Sequence, residues 1–518
     1  MDIDKFRKAG YDAINRICDY HSSLPMKPVV AQVKPGYLHH LIPDSAPQKG
    51  QEWVSIVEDY EKFIIPGLTH WQHPSFFAYF PAAGTFEGML GELLSSSTTN
   101  PGFNWFASPA STELEGVVMD WAAKMFGLKD IFWNVNGAGG GVIQASASDS
   151  ALTAIVAARI RYLNEHPGTM LESLVIYITT QTHSLGEKAA MILGLRVRAL
   201  DVDKAVAIHN IGLTGEVLKA AVKEDHARGL HPFVLVATVG TTSSGAIDQV
   251  ADVGFIIKQS FPSIWLHVDA AWAGVTLACP EYREAAQLPG INEYADSLCI
   301  NFHKWGLINH DASAFWVRER RRLIDAFEIT PEFLRTKEGD AGIVIDYRNW
   351  HLSLSRRFRS LKFWFVLRSF GVDGFQANIR KGISLNDSFV ERIRASPIFE
   401  LVTPPSFALT VFRLLPRSAG NTTELESINA LNREFYGALQ SRPNLVLTQT
   451  LIGEVFCVRF AVGAARTELI DIDNAWEVIK EVGESTLESW AMESWDMEME
   501  SWAMEMESWV TAHELPTP

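Results

Sequence analysis

The sequence has few cysteines and no motif that would use them. Cys18, Cys279, Cys299 and Cys457 are four widely spaced residues in a chain of 518. No CxxC pair and no cysteine–histidine spacing of the kind that binds zinc occurs, so we expect no metal site and no disulfide framework. Scattered free thiols suit a reducing compartment, and we therefore expect a cytoplasmic protein.

Long apolar runs are also missing. No stretch of about 18 consecutive apolar residues occurs, and we expect no membrane-spanning helix and no membrane partner. The first residues, MDIDKFRKAGYD, carry charges throughout and have no apolar segment, so we expect no secretory signal.

Basic residues are outnumbered, with 45 Lys and Arg against 61 Asp and Glu and a net charge of −16. Such a balance argues against a nucleic-acid partner, because nucleic-acid binding depends on neutralising phosphates. Neither GxxxxGK[ST] nor a GxGxxG between strand and helix is present, which argues against nucleotide binding.

What the sequence does contain is a regular alternation of strands and helices between about residues 114 and 370. Hydrophobic residues make up 47% of the chain, as in globular proteins, and the length predicts two or more domains. The alternation predicts an α/β fold with a mostly parallel central sheet. The predicted strands are Leu174–Thr179, Phe233–Val239, Trp265–Val268, Leu298–Ile300 and Ala314–Val317.

Lys304 lies just beyond one of these strands, in SLCINFHKWGLINHDASAFW. A lysine at the mouth of a buried strand is either an ordinary surface residue or an amine with a chemical role. Desolvation lowers the pKa of a lysine and makes it a nucleophile towards carbonyl groups.

Other polar residues follow neighbouring strands. Asp269 precedes Lys304 by one βα crossover, and both should lie at the same edge of the sheet. His183 also follows a strand. Taken singly, Asp269 could be a helix cap and His183 a structural histidine.

A glycine-rich stretch, GAGGGVIQASASDS at 137–150, precedes a predicted helix. Its glycines allow close backbone approach, and Ser146 and Ser148 would stand at a helix N-terminus that favours an anion. An ordinary flexible loop with a helix cap is the alternative. Together with Lys304, Asp269 and His183, however, this stretch describes a site for pyridoxal 5'-phosphate.

Several motifs carry a resemblance to a known family: PGYLHHLIP, PGLTHWQHPSFFAYFP, ASPASTELE, GGGVIQASAS, ATVGTT, HVDAAWAG, NFHKW and DYRNWHLSLSRRFRSLKFW. In this order they resemble the aromatic L-amino acid decarboxylases, which are group II pyridoxal-phosphate-dependent decarboxylases. The resemblance covers about residues 1–485. It implies the aspartate-aminotransferase-like fold type I and a homodimer with shared active sites. The implied divisions are an N-terminal helical dimerisation segment (1–85), a large cofactor-binding α/β domain (86–375), a small C-terminal α/β domain (376–485) and a tail (486–518).

The resemblance also implies roles for individual residues. Lys304 would bond covalently to the cofactor, Asp269 would hold its pyridine nitrogen protonated, and His183 would stack on its ring. His303 would assist proton transfer. The implied cofactor-binding residues are Ser146, Ala147, Ser148, His183, Thr242, Asp269, Ala271, Asn301 and Lys304. The implied substrate-binding residues are Trp71, Tyr79, Phe80, Pro81 and Phe103.

Tyr347, in GIVIDYRNW, bears on which product forms. In the family, a loop tyrosine from the neighbouring subunit protonates the substrate's Cα, and relatives with phenylalanine in its place make aldehydes instead. Tyr347 therefore predicts decarboxylation of an aromatic L-amino acid to the amine and CO2. The alternatives are an aldehyde synthase of the same family and a catalytically silent binding scaffold.

Four residues near the predicted site depart from the family pattern: Phe302, Ala82, Trp272 and His310. Phe302 replaces a proline beside His303, and Ala82 stands where animal members have a threonine near the substrate carboxylate. These changes leave the catalytic groups in place but affect carboxylate anchoring and substrate preference.

The last stretch, 488–518, lies outside the resemblance. It holds eight acidic residues, no Lys or Arg and four ESW repeats. The apolar residues Trp495, Met499, Trp502, Met506 and Trp509 follow a 4-3-4-3 spacing. The stretch is therefore either a low-complexity extension or a helix that docks on a partner.

Overall fold

The chain begins with helices that have clear start signals. The computed structural model describes residues 1–135, 137–202, 212–416 and 425–512. Asp2 caps the first helix by accepting hydrogen bonds from the backbone N–H groups of Asp4 and Lys5, and Thr85 caps the third. The N-terminal helices are α1 (Ile3–Ser23), α2 (Trp53–Asp59), α3 (Phe86–Thr98) and α4 (Pro109–Met125).

A seven-stranded sheet forms the centre of the large domain. Its strands are β1 (Gly140–Gln144), β2 (Leu174–Thr179), β3 (Arg196–Leu200), β4 (His231–Thr238), β5 (Trp265–Asp269), β6 (Ser297–Asn301) and β7 (Ser313–Val317). They lie in the order β1-β7-β6-β5-β4-β2-β3. The pairs from β6 to β3 are parallel, whereas β7 is antiparallel to both of its neighbours. The predicted mostly parallel sheet is confirmed.

Helices cover both faces of this sheet, which explains why its strands are continuous apolar runs. Every residue of β2, β5, β6 and β7 is buried. The helices that follow the strands are α5 (Ala147–Glu165), α6 (Leu185–Leu193), α7 (Gly215–Ala227), α8 (Val250–Ser260), α9 (Leu288–Tyr294), α10 (Phe302–Trp305), α11 (Arg320–Phe327) and α12 (Lys337–Asp340).

A smaller antiparallel sheet follows, in the order β10-β11-β9-β8. Its strands are β8 (Phe399–Leu401), β9 (Leu409–Leu414), β10 (Thr448–Ile452) and β11 (Val455–Ala461). The helices that belong to this part are α13 (Ser360–Ala395), α14 (Leu425–Gln440) and α15 (Leu469–Ala512). The second, smaller α/β unit predicted from the sequence is thus present.

Two long helices run across proposed domain boundaries. Position 375 lies inside α13, which is interrupted at Gly371, and position 485 lies inside α15. The first tryptophan of the tail, Trp490, packs against the main core. The side chains of Trp495, Met499, Trp502 and Trp509 fall outside the described part, so their predicted apolar seam stays a prediction. No helix in the described ranges is long and apolar enough to cross a membrane.

Candidate active site

The candidate site lies at the carboxyl ends of β4, β5 and β6. Thr238 pairs with Asp269, and Asp269 pairs with Cys299, so the three strands end side by side. Lys304 follows on α10, directly after β6. As the spacing of the two residues predicts, Asp269 and Lys304 occupy neighbouring strand ends at one edge of the sheet.

Lys304 is a half-buried lysine whose amine lies among aromatic and charged groups. Its Nζ is 5.2 Å from the centroid of the Phe80 ring. Burial lowers the pKa of Lys304; the negative charge of Asp269 opposes this shift, and the positive charge of Arg459 adds to it. A lysine with a lowered pKa has more free amine at neutral pH, which is the form that attacks a carbonyl.

Asp269 is a buried carboxylate with a fixed orientation. Its Oδ1 accepts a hydrogen bond from the backbone N–H of Ala271 at 3.0 Å and one from the thiol of Cys299 at 3.6 Å. Both donors act on the same oxygen. Asp269 can therefore offer its other oxygen to a cationic ring nitrogen, as the predicted role requires.

His183 lies in the loop after β2, near both of these groups. Its Nδ1 accepts a hydrogen bond from the backbone N–H of Leu185 at 3.2 Å. Burial lowers the pKa of His183, Asp269 raises it and Lys304 lowers it further. Its ring is partly open to solvent, so a neutral imidazole can face a planar ligand.

The N-terminus of α5, which follows β1 of the same sheet, is of the kind that favours an anion. Ser146 caps α5 by accepting from the backbone N–H of Asp149 at 3.2 Å, while its hydroxyl donates to Asp149 Oδ2 at 3.0 Å. Ala147 is buried in the first turn and Ser148 is exposed. The free N–H groups of this first turn, on a helix of 19 residues, suit a phosphate.

Asn301 supplies a further polar group that the fold leaves unused. It is 3% exposed at the end of β6, and its Oδ1 has no hydrogen-bond partner within the described residues. Its backbone N–H donates to the carbonyl of Ala271 at 3.0 Å. Thr242 is half-buried in the loop after β4.

These groups fit pyridoxal 5'-phosphate. Lys304, Asp269 and His183 lie within electrostatic reach of one another, as their mutual pKa effects show. Asn301 presents a buried side-chain oxygen that has no partner among the described residues, at the same sheet edge. An aldehyde-bonding amine, a carboxylate for the ring nitrogen and an imidazole for the ring face are what this cofactor needs.

Three of the predicted substrate-binding residues, Trp71, Tyr79 and Phe80, lie in two aromatic stacks that we call the aromatic wall, and Phe80 is the one that lies beside Lys304. Trp71 stacks on Tyr79 with ring centroids 5.5 Å apart, and Phe80 stacks on Trp272 at 4.4 Å. Trp272 in turn stacks on Trp305 at 5.9 Å. Trp272, one of the departures from the family pattern, therefore packs between Phe80 and Trp305. Pro81, which follows Phe80 in the chain, is buried.

Phe103 and Tyr347 form a second group. The carbonyl of Phe103 accepts a hydrogen bond from the backbone N–H of Arg348 at 3.2 Å. Tyr347 is 1% exposed, its ring lies 4.9 Å from the Arg356 guanidinium, and its hydroxyl has no partner within the described part of the chain. Burial, and then the negative charge of Glu115, raises the pKa of Tyr347 well above its usual value.

The residues beside Lys304 in the chain are buried. Phe302 packs in the core against Phe126 and Phe363, with centroids 5.4 and 5.0 Å away, so the residue that replaces a proline fills core volume. His303 accepts a hydrogen bond at Nδ1 from the backbone N–H of Ala312 at 2.8 Å. Burial lowers the pKa of His303 to about 3, which keeps its ring neutral.

Sequence reasoning missed two polar residues near the site, Cys299 and Arg459. Cys299 lies in an apolar strand and its sequence context indicates a small hydrophobic residue, yet its thiol donates to Asp269. Arg459 is 2% exposed in β11, and its guanidinium lies 4.9 Å from the centroid of Phe80. A charged residue inside the apolar strand VFCVRFA was the available signal.

The chain resembles known proteins over most of its length. Residues 35–415 match the "Pyridoxal-dependent decarboxylase conserved domain". Tryptophan decarboxylase 2 of Oryza sativa subsp. japonica is 42% identical over 93% of this chain and 95% of that protein. Phenylacetaldehyde synthase of Arabidopsis thaliana is 43% identical over 93% of this chain and 96% of that protein.

A solved structure has the same architecture. The crystal structure of Oryza sativa TDC with PLP and tryptamine superimposes with a TM-score of 0.89 at 34% identity. The match covers 94% of this chain and 99% of that one. The sequence match and the shared fold lead to one conclusion: this chain belongs to the pyridoxal-dependent decarboxylase family.

Proposed function

We propose that this protein removes CO2 from aromatic L-amino acids, with pyridoxal 5'-phosphate bound at Lys304. The observation that carries the proposal is the meeting of Lys304, Asp269 and the aromatic wall at one sheet edge. Relatives named for tryptophan, tyrosine and aromatic L-amino acids support the substrate class.

Each residue has a definable task in this reaction. The cofactor supplies an electron sink for the bond between Cα and the carboxylate. The lowered pKa of Lys304 provides free amine for bonding and exchange. Asp269, fixed through Oδ1, holds a proton on the cofactor's ring nitrogen. Tyr79 and Phe80 offer flat apolar surface to an aromatic side chain.

A substrate panel tests the proposal. The purified protein, saturated with pyridoxal phosphate, is incubated with L-tryptophan, L-tyrosine, L-phenylalanine, their ring-hydroxylated forms and L-glutamate. We expect CO2 from at least one aromatic amino acid and none from glutamate. A Lys304→Ala variant serves as the control and should release none. Absence of CO2 from every aromatic amino acid would reject the proposal and favour the silent scaffold.

A second candidate function, the aldehyde synthase, is favoured by a specific observation. A loop residue that acts in a neighbouring subunit must stand at the surface of its own chain. Tyr347 is buried in its own core at 1% exposure, whereas Phe333, in the preceding loop of residues 328–346, is 80% exposed. Phenylalanine has no hydroxyl proton to give to Cα. The amino acid, O2 and water would then yield aldehyde, CO2, ammonia and hydrogen peroxide.

Product analysis separates the two functions. If Tyr347 donates the proton, the wild type makes amine and Tyr347→Phe makes aldehyde. If Phe333 instead occupies the position from which Cα would be protonated, the wild type makes aldehyde, ammonia and peroxide in equal amounts. Phe333→Tyr should then shift the product towards amine. Oxygen consumption, measured together with CO2 release, distinguishes the two functions independently, because only the aldehyde synthase consumes O2.

We further propose a homodimer with shared active sites. Phe333, in the loop of residues 328–346, is 80% exposed and is therefore available to the active site of a second copy. Helix α1 exposes apolar side chains, including Phe6 at 61% and Tyr11 at 69%, which a second copy would cover. Light scattering on the purified protein should give twice the chain mass of 57.7 kDa.

A cytoplasmic location is the remaining part of the proposal. All four cysteines are free, and Cys279, Cys299 and Cys457 are buried, which suits a compartment that keeps thiols reduced. Microscopy of a fluorescent fusion should show diffuse cytoplasmic signal.

The tail remains a proposed docking segment. Met504 and Met506 are 65% and 55% exposed on the far part of α15. Removal of residues 493–518, which keeps Trp490 on the core, should leave CO2 release unchanged and abolish any partner binding that depends on the tail. Unchanged partner binding and oligomeric state would reject docking.

A further inference from the structure

The aromatic wall is attached to the small sheet. The backbone N–H of Phe77 donates to the carbonyl of Val446 at 3.1 Å, and the N–H of Ala461 donates to the carbonyl of Phe77 at 3.0 Å. The ring of Phe77 stacks on Phe460 with centroids 4.2 Å apart. The segment that carries Tyr79 and Phe80 is therefore bound to the small sheet.

Side chains of the small sheet continue this attachment at Tyr79. The N–H of Tyr79 donates to Thr448 Oγ1 at 2.8 Å, and its carbonyl accepts from Arg459 Nη2 at 3.1 Å. Arg459 Nη1 also donates to Thr448 Oγ1 at 3.0 Å. Both backbone groups of Tyr79 are thus bound by two side chains that bind each other.

The backbone conformation of Tyr79 needs such support. Its φ is +51°, in the left-handed region that bulky residues rarely adopt. Conformations of this kind persist where surrounding contacts determine them, and they concentrate at functional sites. In this conformation the Tyr79 ring stacks on Trp71, and about half of the Tyr79 surface stays exposed to solvent.

Arg459 acts on the neighbouring residue as well. Its guanidinium is 4.9 Å from the centroid of Phe80, whose ring also stacks on Trp272. Arg459 has no carboxylate partner within the described residues, and burial lowers its pKa to about 10. A buried charge without a carboxylate is costly to the fold, so the contacts to Tyr79 and Phe80 are the interactions that hold it.

We propose that Thr448 and Arg459 are positioning residues that hold Tyr79 and Phe80 as the wall against which the substrate's aromatic ring packs. This inference rests on the proposed function, because it concerns the binding of an aromatic side chain. The two residues act through Tyr79 and Phe80 and take no part in bond breaking. Their loss should weaken substrate binding more than it slows the chemical step.

Thr448→Val and Thr448→Ser test the proposal on the pyridoxal-phosphate-loaded protein. Valine matches the shape of threonine but cannot accept from Tyr79 or Arg459, whereas serine keeps the hydroxyl. For the aromatic amino acid that the wild type turns over best, we expect Thr448→Val to raise KM about tenfold and to change kcat less than threefold. Thr448→Ser should restore KM to within about twofold. Thr450→Val, two residues along β10, is the matched control and should leave KM unchanged.

The outcomes separate failure of this inference from failure of the proposed function. An inactive wild type on every aromatic amino acid rejects the proposed function. An active wild type whose KM is unaffected by Thr448→Val rejects the positioning role. A parallel loss of kcat and cofactor absorbance in Thr448→Val also rejects it, because a general structural defect would then explain the result. Arg459→Lys gives a second test, since a lysine keeps the charge and loses the paired contacts to Tyr79 and Thr448.

Discussion

At the scale of single residues, the site depends on how burial sets the state of each titratable group. Burial lowers the pKa of Lys304 and His183 and thereby favours the free amine and the neutral imidazole. Asp269 gains its orientation from two donors on one oxygen. Burial thus shifts Lys304 towards the free amine and His183 towards the neutral imidazole, close to an oriented Asp269 side chain.

Asp269→Asn should separate cofactor binding from turnover. The amide keeps the shape of the side chain but cannot stabilise a protonated ring nitrogen. We expect the cofactor to bind and kcat to fall by about a hundredfold or more, the scale of a lost electrostatic interaction in an enclosed site. Cys299→Ser, which keeps a donor to the same oxygen, should remain within about threefold of wild type. An Asp269→Asn enzyme with nearly full kcat would contradict the role of this carboxylate.

His303 should make stability depend on pH. In the folded protein its pKa is lowered to about 3, whereas an unfolded histidine titrates near its ordinary value of 6.5. Between these values the unfolded chain binds one more proton, so the free energy of unfolding decreases as the pH falls from 6.5 towards 3. The contribution is about 1.4 kcal/mol per pH unit.

Urea denaturation of wild type and His303→Gln at pH 7.5 and pH 5.5 measures this contribution. We expect the stability of the wild type to decline more than that of the variant over this interval. Equal declines would show that His303 titrates in the same way in the folded and unfolded chains.

At the scale of elements, the strand that leads into α5, the helix proposed to bind the phosphate, is held by a buried ion pair. β1 is an edge strand, and its residue Ile143 donates its N–H to Glu115 Oε1 at 2.8 Å and accepts at its carbonyl from Arg356 Nη2 at 3.1 Å. Glu115 and Arg356, at 1% and 6% exposure, bind each other through two hydrogen bonds. The backbone N–H and carbonyl of Ile143 thereby have hydrogen-bond partners at the sheet edge, although no further strand pairs there.

Glu115→Gln should therefore be strongly destabilising. It leaves the Arg356 charge buried without its partner, which typically costs about 3–5 kcal/mol. Glu281→Gln is the matched control, because Glu281 also forms two hydrogen bonds with an arginine, Arg380, but at the surface, where solvent screening makes such pairs contribute little. Chemical denaturation of both variants gives the comparison. Similar small losses would contradict a structural role for the buried pair.

The central strands and helices were predictable from sequence, and the edges were not. β2 matches its predicted limits because an apolar run is a strong local signal. β1 was missed because its GGVIQ sequence read as part of a glycine-rich loop, and β3 because three of its five residues are exposed. Solvent exposure therefore weakens the apolar pattern of β3, whereas β1 is fully buried and was hidden by its glycines.

The site likewise contains residues that could be predicted from the sequence and residues that could not. Asp269 and Lys304 follow apolar strands, so their meeting could be read from the order of the elements. The contacts of Arg459 with Tyr79 and Phe80 join residues about 380 positions apart, which no local pattern encodes. Tyr347 belongs to a core cluster that also contains Val142 and Ile176, which are far from it in the sequence, so its sequence motif alone could not reveal its burial.

At the scale of the whole molecule, two chains are proposed to complete each site. A mixing experiment tests this. Lys304→Ala removes the cofactor lysine, and replacement of residues 336–342 by two glycines removes part of the loop. Each variant alone should be inactive. When the two are unfolded, mixed and refolded together, heterodimers with one intact site should restore about a quarter of wild-type activity. Continued inactivity of an assembled mixture would contradict shared sites.

The most direct test of the central claim is to trap the cofactor on the protein. The purified protein is loaded with pyridoxal phosphate, reduced with borohydride, digested and analysed by mass spectrometry. The account predicts a phosphopyridoxyl group on Lys304, in the peptide that contains NFHKW, and its loss in Lys304→Ala. Modification of a different lysine in the wild type, or of none, would contradict it.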